Sequence, residues 1–433
     1  MTGNMPELST PVTVYYHPGL RAERKTFMNA RTVVRRQERA QKSSIKNFDR
    51  KHENIPAPSS RPQLKKIPLL DLTRKYRSIE AELRRQWGSV FSSMKLLKGS
   101  NLSAFEEEFA AYCGVKCAVG VASGTDAIYL SLQALRISTG DEVILPAHVP
   151  APVIEPVIAA GAKPVLIDKA VGDYGPDLNG LRKAINARTK AILAVHMLGL
   201  PCDMQAILEV AQKRNIPVVE DASQAQGAVY KRRRAAGWGA ITPMSLGPVK
   251  NLASYGDGGV VLTNDEQLAQ YVRLLRVHGQ AEKYDHKIYG WNSRLDELQA
   301  VVLRLKLPTL DRDNARRAAI AAEYSKCFTD LPVITPPQFF DRASVYHQYV
   351  VETPHRDPLK RFLESKGIGT GIYYPAPLHQ HQAWKAKKLP AYSLPEAERY
   401  ARENLAIPVF AELNDEEVAY IASAVREYFS SKA

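Results

Sequence analysis

From residue 117 to residue 221 the chain alternates short apolar runs with helical stretches, and this alternation constrains the fold more than any other feature. The apolar runs lie at 117–121, 142–145, 164–168, 191–196 and 216–221; helical patterns fill the intervals, the last two near 178–186 and 204–214. Neighbouring parallel strands need a crossover of a dozen or more residues between them, and a helix supplies it. Strands buried on both faces are apolar almost throughout, as these are. The expected architecture is therefore α/β, a mostly parallel sheet with helices on both faces. In such sheets ligands bind beyond the carboxyl ends of the strands. Ser123, His148, His196 and Asp221 all fall at such ends.

Two residues there carry candidate chemistry. Lys250 is the single lysine of PMSLGPVKNLASYGDGG, residues 243–259, between Ser245 and a glycine turn that leads into the apolar run 260–263. Burial lowers a lysine's pKa, and a neutral amine can attack a carbonyl to form a Schiff base. A solvated loop lysine is the plain alternative. Asp221 closes an apolar strand, and a buried carboxylate needs a cation or several donors. By residue type alone a helix N-cap suits it better; the functional reading is an anion that keeps a heteroaromatic nitrogen protonated. Ser123-Gly124-Thr125 joins a strand to a helix start, where free N–H groups and the helix dipole favour an anion, although the tripeptide alone is a common turn.

A length of 433 residues implies two or three domains. No apolar run is long enough to cross a membrane, and the first thirty residues hold no secretory signal. The four cysteines form no zinc pattern and suit reduced thiols in a cytoplasmic protein, so no metal is expected. The net charge is +14, but residues 1–66 alone hold 14 Lys and Arg against 5 Asp and Glu. They form a basic leader, expected to be disordered apart from a possible basic helix over 30–46. The mildly cationic remainder suits an anionic small molecule at least as well as nucleic acid, and a nucleic-acid partner is not expected. Residues 67–320 are expected to form the large domain and 321–433 a smaller α+β domain. A helix is expected from Ser103, capped by that serine with Glu106 at the third position, and another that opens with Gly290 and continues through Leu307.

Taken in order, Ser-Gly-Thr-Asp-Ala at 123–127, Glu-Asp-Ala-x-Gln-Ala-x-Gly-Ala from Glu220, Ser-x(4)-Lys-Asn-Leu from Ser245, Gly-Asp-Gly-Gly from Gly256 and Asn-Ser-Arg-Leu-Asp-Glu from Asn292 resemble the DegT/DnrJ/EryC1/StrS family. Shorter matches are Arg276-Val277-His278-Gly279 and Val345-Tyr346-His347. The resemblance runs from about Ile67 to Phe429. It implies a fold-type-I transferase dependent on pyridoxal 5'-phosphate, moving an amino group from glutamate or glutamine to a keto sugar or keto cyclitol by a ping-pong mechanism. Lys250 then corresponds to the Schiff-base lysine and Asp221 to the partner of the pyridinium nitrogen. Gln224 matches the residue near the cofactor's phenolic oxygen, Ser123, Gly124, Thr125 and Ser245 the phosphate cradle, and His148 a residue beside the ring. Asn292 matches a residue that reaches the phosphate of a neighbouring subunit, which implies a homodimer. Pro150 stands where the family has an aromatic stacking residue, leaving Pro150 or His148 to cover the ring. Leu198 and Tyr373 replace a common tyrosine and histidine. The family also holds dehydratases, with histidine in the lysine's place, and non-catalytic regulatory members are a further alternative; Lys250 argues against the first.

Overall fold

Residues 66–431 are described, by a computed structural model. The leader expected over 1–66, with its possible helix, lies outside them except for Lys66. The main elements in chain order are α1 (Leu72–Ser93), α2 (Ser100–Cys113), β1 (Cys117–Val121), α3 (Gly124–Ala134), β2 (Glu142–Pro146), α4 (Ala151–Ala159), β3 (Lys163–Ile167), α5 (Leu178–Ala184), β4 (Thr189–Val195), α6 (Met204–Gln212), β5 (Val218–Asp221), β6 (Thr242–Ser245), β7 (Gly259–Thr263) and α7 (Glu266–Leu275). They are followed by α8 (Glu297–Lys306), α9 (Leu310–Cys327), β8 (Tyr349–Glu352), α10 (Arg356–Ser365), α11 (Pro395–Glu403), β9 (Asn404–Ile407) and α12 (Asp415–Ser430).

Strands β3-β2-β4-β5 pair in parallel, and β1-β7-β6 form an antiparallel ladder. A parallel bridge from Val219 to Ile241 joins the two, with Glu220 N donating to Ile241 O at 3.0 Å. The sheet thus reads β3-β2-β4-β5-β6-β7-β1, with β7 alone running against the rest. Successive side chains on a strand point to opposite faces. Val143 and Leu145 enter one core while Ile144 enters another, and Val261 is separated in the same way from Val260 and Leu262. Both faces are therefore covered, and the uninterrupted apolar strands of the sequence follow from that.

Two local expectations are corrected. The helix expected from Ser103 begins at Ser100, and its cap is the carboxylate of Glu297 on α8, which accepts from the amides of Gly99 (2.8 Å), Asn101 (3.0 Å) and Leu102 (3.0 Å). Glu106 instead accepts from Gly120 N at 2.7 Å and pairs with Arg276 at 2.5 Å. A carboxylate from a distant helix can satisfy the free amides of a helix start as well as a local cap does. Likewise α8 starts only at Glu297, because the preceding backbone is stitched to the end of α7: Trp291 N donates to Leu275 O (2.6 Å) and Ser293 N to Arg276 O (3.0 Å).

A second core gathers Tyr349, Val351, Leu359, Leu363, Leu405 and Ile421 around the antiparallel pair β8–β9. Helix α9 links two cores, with Leu310 packed in the one that holds Val260 and Leu262 and Ile320 and Tyr324 in the one around β8–β9. Ile67 also joins the second core, bridging Ile368.

Candidate active site

The carboxyl ends of β1, β5 and β6 bring together residues far apart in sequence. Ser123 follows β1 and caps α3, its Oγ accepting from Asp126 N at 3.1 Å. The amides of Gly124 and Thr125, at the first helical positions, have no intrahelical acceptor. Gly124 is required by proximity: a Cβ there would lie 2.4 Å from the Cβ of Ser245. Ser245, the last residue of β6, is thereby pressed against the start of α3. The result is a small cradle of amides and hydroxyls at a helix N-terminus, a setting that favours phosphate.

Asp221 ends β5 and is 2 % exposed. No helix follows it, so it is not an N-cap. Its Oδ1 accepts from Ser223 N at 2.9 Å. Burial raises its pKa, against the lowering effect of the Ser223 donors and of the Lys250 and His196 charges. Ser223, which sequence reasoning did not single out, also ties the site together: its Oγ accepts from Ser245 N at 2.9 Å. The signal was an Asp followed two residues later by Ser, a spacing that favours local side chain–backbone bonds.

Lys250 lies in the loop between β6 and β7. Ser254 closes this loop, its Oγ donating to Leu246 O (2.7 Å) and lying 2.6 Å from Gly256 O. The Lys250 side chain keeps some contact with solvent, yet packed protein surrounds it. That desolvation lowers its pKa, and the nearby Asp221 carboxylate opposes the shift. Sequence positions 221 and 250 are thus electrostatic neighbours.

Gln224 is 4 % exposed. Its Oε1 accepts from Leu198 N at 2.7 Å and its Nε2 lies 3.4 Å from the Tyr374 hydroxyl. His148, also buried, has Nε2 at 3.0 Å from Tyr374 O and 3.1 Å from Tyr374 N, and its ring meets the Tyr400 ring edge-on with centroids 4.8 Å apart. Burial pushes its pKa down to about 4. Pro150 is half-buried and precedes α4. His196, at the end of β4, turns away into the protein: Cys202 N donates to its Nδ1 (3.1 Å), leaving Nε2 to donate to Glu220 at 3.0 Å. Asn292 is exposed, bridged through its backbone to Val277. It stands apart from the buried set. No group of three or more His, Cys, Asp or Glu side chains placed to hold a metal occurs among the described residues.

The arrangement offers an amine of lowered basicity, a buried carboxylate close to it and an anion cradle beside both. Comparison with known proteins gives the same direction. The chain is 42 % identical over 371 residues to a dTDP-3-amino-3,4,6-trideoxy-alpha-D-glucose transaminase of Streptomyces venezuelae, covering 86 % of this chain and 98 % of the relative. It is 38 % identical over 366 residues to a protein of Geobacillus stearothermophilus named pleiotropic regulatory protein, covering 84 % and 98 %. The crystal structure of S. venezuelae DesV in complex with a ketimine intermediate superposes with a TM-score of 0.82 at 42 % identity, over 84 % of this chain and 99 % of that one. The family model for DegT/DnrJ/EryC1/StrS aminotransferases matches residues 77–426, and this chain belongs to that family.

Proposed function

We propose that the protein binds pyridoxal 5'-phosphate and moves an amino group from glutamate or glutamine to a keto sugar or related keto cyclitol, in two alternating half-reactions. The observation that carries the reading is a desolvated Lys250 whose charge is felt by the buried Asp221, beside a cradle where Ser245 closes on the helix start at Gly124. The named transaminase relatives support the keto-sugar substrate class.

The residues fit the cofactor. Ser123, Gly124, Thr125 and Ser245 would hold the phosphate, Asp221 the ring nitrogen, and Lys250 the carbonyl carbon. Gln224 has its amide oriented by Leu198, so that Nε2 can donate to the ring oxygen. His148, held neutral near pH 7, would lie beside the ring. When bound, the cofactor supplies an electron sink for the electron pair released at the substrate carbon. The chain supplies the rest. Asp221 keeps the ring nitrogen protonated by charge pairing, which favours its ionised form and reverses the effect of burial. Lys250 Nζ, once free, takes the proton from the substrate carbon and returns it one position away.

A homodimer belongs to the same proposal, with Asn292 reaching the neighbouring phosphate. Its support is exposed apolar surface near Lys250 and Asn292: Val249 is 50 % exposed, Trp291 52 % and Tyr289 fully exposed. The division into units 67–320 and 321–433 is also proposed, and the separate core gathered around the antiparallel pair β8–β9 supports it. No helix among the described residues is long and apolar enough to cross a membrane, and all four cysteines are free; both fit the proposed cytoplasmic setting.

Lys250→Ala tests the reading. The expected result is loss of transamination together with the visible absorbance of the bound cofactor. Full turnover in that variant would refute the assignment.

A further inference from the structure

The turn that follows Asp221 and the loop that carries Lys250 are fastened to one side chain, Asn314 on α9, which is 5 % exposed and has no part in the site as built so far. Asn314 Nδ2 donates to Gln226 O at 2.9 Å. Gly227 makes this approach possible: its φ is +87°, and a Cβ there would stand 2.7 Å from Asn314 Nδ2. Gln226 is fully buried, and its side-chain nitrogen donates to Ser223 O (3.1 Å) and Ser245 O (2.7 Å). The turn held by Asn314 is therefore also tied to the last residue of β6 and to the anion cradle.

With the Asn314 nitrogen facing a carbonyl, its Oδ1 faces Asn251, whose Nδ2 donates to it at 2.8 Å. Asn251 Nδ2 also reaches Val345 O at 3.1 Å, and Asn251 Oδ1 accepts from His347 Nδ1 at 3.1 Å. Asn251 is the residue after Lys250, and Lys250 N donates to Gly247 O at 3.0 Å. The far end of the loop is held separately, by Lys306 Nζ on α8 donating to Ala253 O at 2.7 Å. One planar amide on α9 thus joins the segment after Asp221 to the segment that bears Lys250. An amide bonded at both ends leaves its two partners little freedom to move apart.

We propose that Asn314 is a positioning residue: it fixes the loop of Lys250 against the turn of Asp221, acting through Asn251 on one side and the Gln226 carbonyl on the other. The Lys250 side chain then moves its proton from a backbone that does not shift relative to the carboxylate. This rests on the roles of Lys250 and Asp221 given above.

The test has two arms. In the apo-protein, amide hydrogen exchange read by mass spectrometry is expected to quicken about tenfold in both 222–228 and 247–254 on Asn314→Leu. On Asn251→Ala, which leaves Asn314 bonded to Gln226, it is expected to quicken in 247–254 alone. In the cofactor-loaded enzyme, Asn251→Ala is expected to lower kcat, counted per bound cofactor, about tenfold, with KM for both substrates nearly unchanged. Asn251→Ala truncates a half-buried side chain, and it decides the matter by itself should Asn314→Leu fail to fold. An Asn314→Leu protein that loosens only one of the two segments overturns the proposal. So does an Asn251→Ala protein with unchanged exchange in 247–254 or unchanged kcat. Cofactor attached to a lysine other than Lys250, found by borohydride reduction and peptide mapping, overturns the reading of Lys250 instead.

Discussion

Asp221 and Ser223 carry the largest consequences at the scale of single residues. A carboxylate that is 2 % exposed is sustained by a few donors, and Ser223 contributes both to Asp221 and to the Ser245 amide. Ser223→Ala keeps the backbone bond to Asp221 but removes the hydroxyl that accepts from the Ser245 amide and that favours the ionised Asp221 carboxylate. Hydrogen bonds to a charged group contribute about 1.5–3 kcal/mol, so cofactor affinity is expected to fall about tenfold or more, measured by titrating the apo-protein. Unchanged affinity would mean that Ser223 does not organise the site. His148 gives a second prediction. Its pKa in the folded state is about 4, below the ordinary value near 6.5, because burial disfavours the cation and Lys169 and His381 repel it. Between those values the unfolded chain binds a proton that the folded chain does not. Stability from this group is therefore complete above about pH 6.5 and is lost as pH falls toward 4, by about 3 kcal/mol in full. Thermal melts from pH 7 to pH 4 are expected to show a steeper acid loss in the wild type than in His148→Gln. Parallel curves would contradict that assignment. Lys250, Asp221 and the cradle were legible because each sits beside a strand end or a glycine turn. Ser223 and Asn251 were not, because their partners lie on elements that sequence spacing cannot bring together.

Among the elements, the parallel strands were plain in the sequence, since burial on both faces leaves an apolar run with little ambiguity. Helix starts were harder to place. Ser103 and Glu106 satisfy a local capping pattern, yet the cap of α2 comes from Glu297, about two hundred residues away. The local pattern lost because α8 packs directly on α2 and delivers a carboxylate to three amides. Glu297→Ala is expected to destabilise the protein by about 1–2 kcal/mol, read by denaturant unfolding, since it strips a helix N-terminus of its only side-chain cap among the described residues. Ser103→Ala is expected to change stability far less. The reverse ranking would restore the local cap. The stretch before α8 was misread for a related reason: its backbone pairs with the end of α7, and tertiary bonding overrode helical propensity.

For the whole molecule, the sheet order places the carboxyl ends of β5, β6 and β1 along one edge of the sheet, with the reversed β7 between the last two, and that arrangement turns scattered motifs into one site. No local pattern encodes it; it follows from the crossover between β5 and β6 and from the reversed β7. The second core, built on β8, β9 and the helices around them, contributes through the 345–348 loop and Tyr374. The central claim is that Lys250 is the residue joined to the cofactor. Borohydride reduction of the purified, cofactor-loaded protein followed by peptide mass mapping tests it most directly. A phosphopyridoxyl group on the peptide that contains Lys250, and on no other, is the result this account predicts. A label on a different lysine, or none on a protein that still catalyses amino transfer, would contradict it.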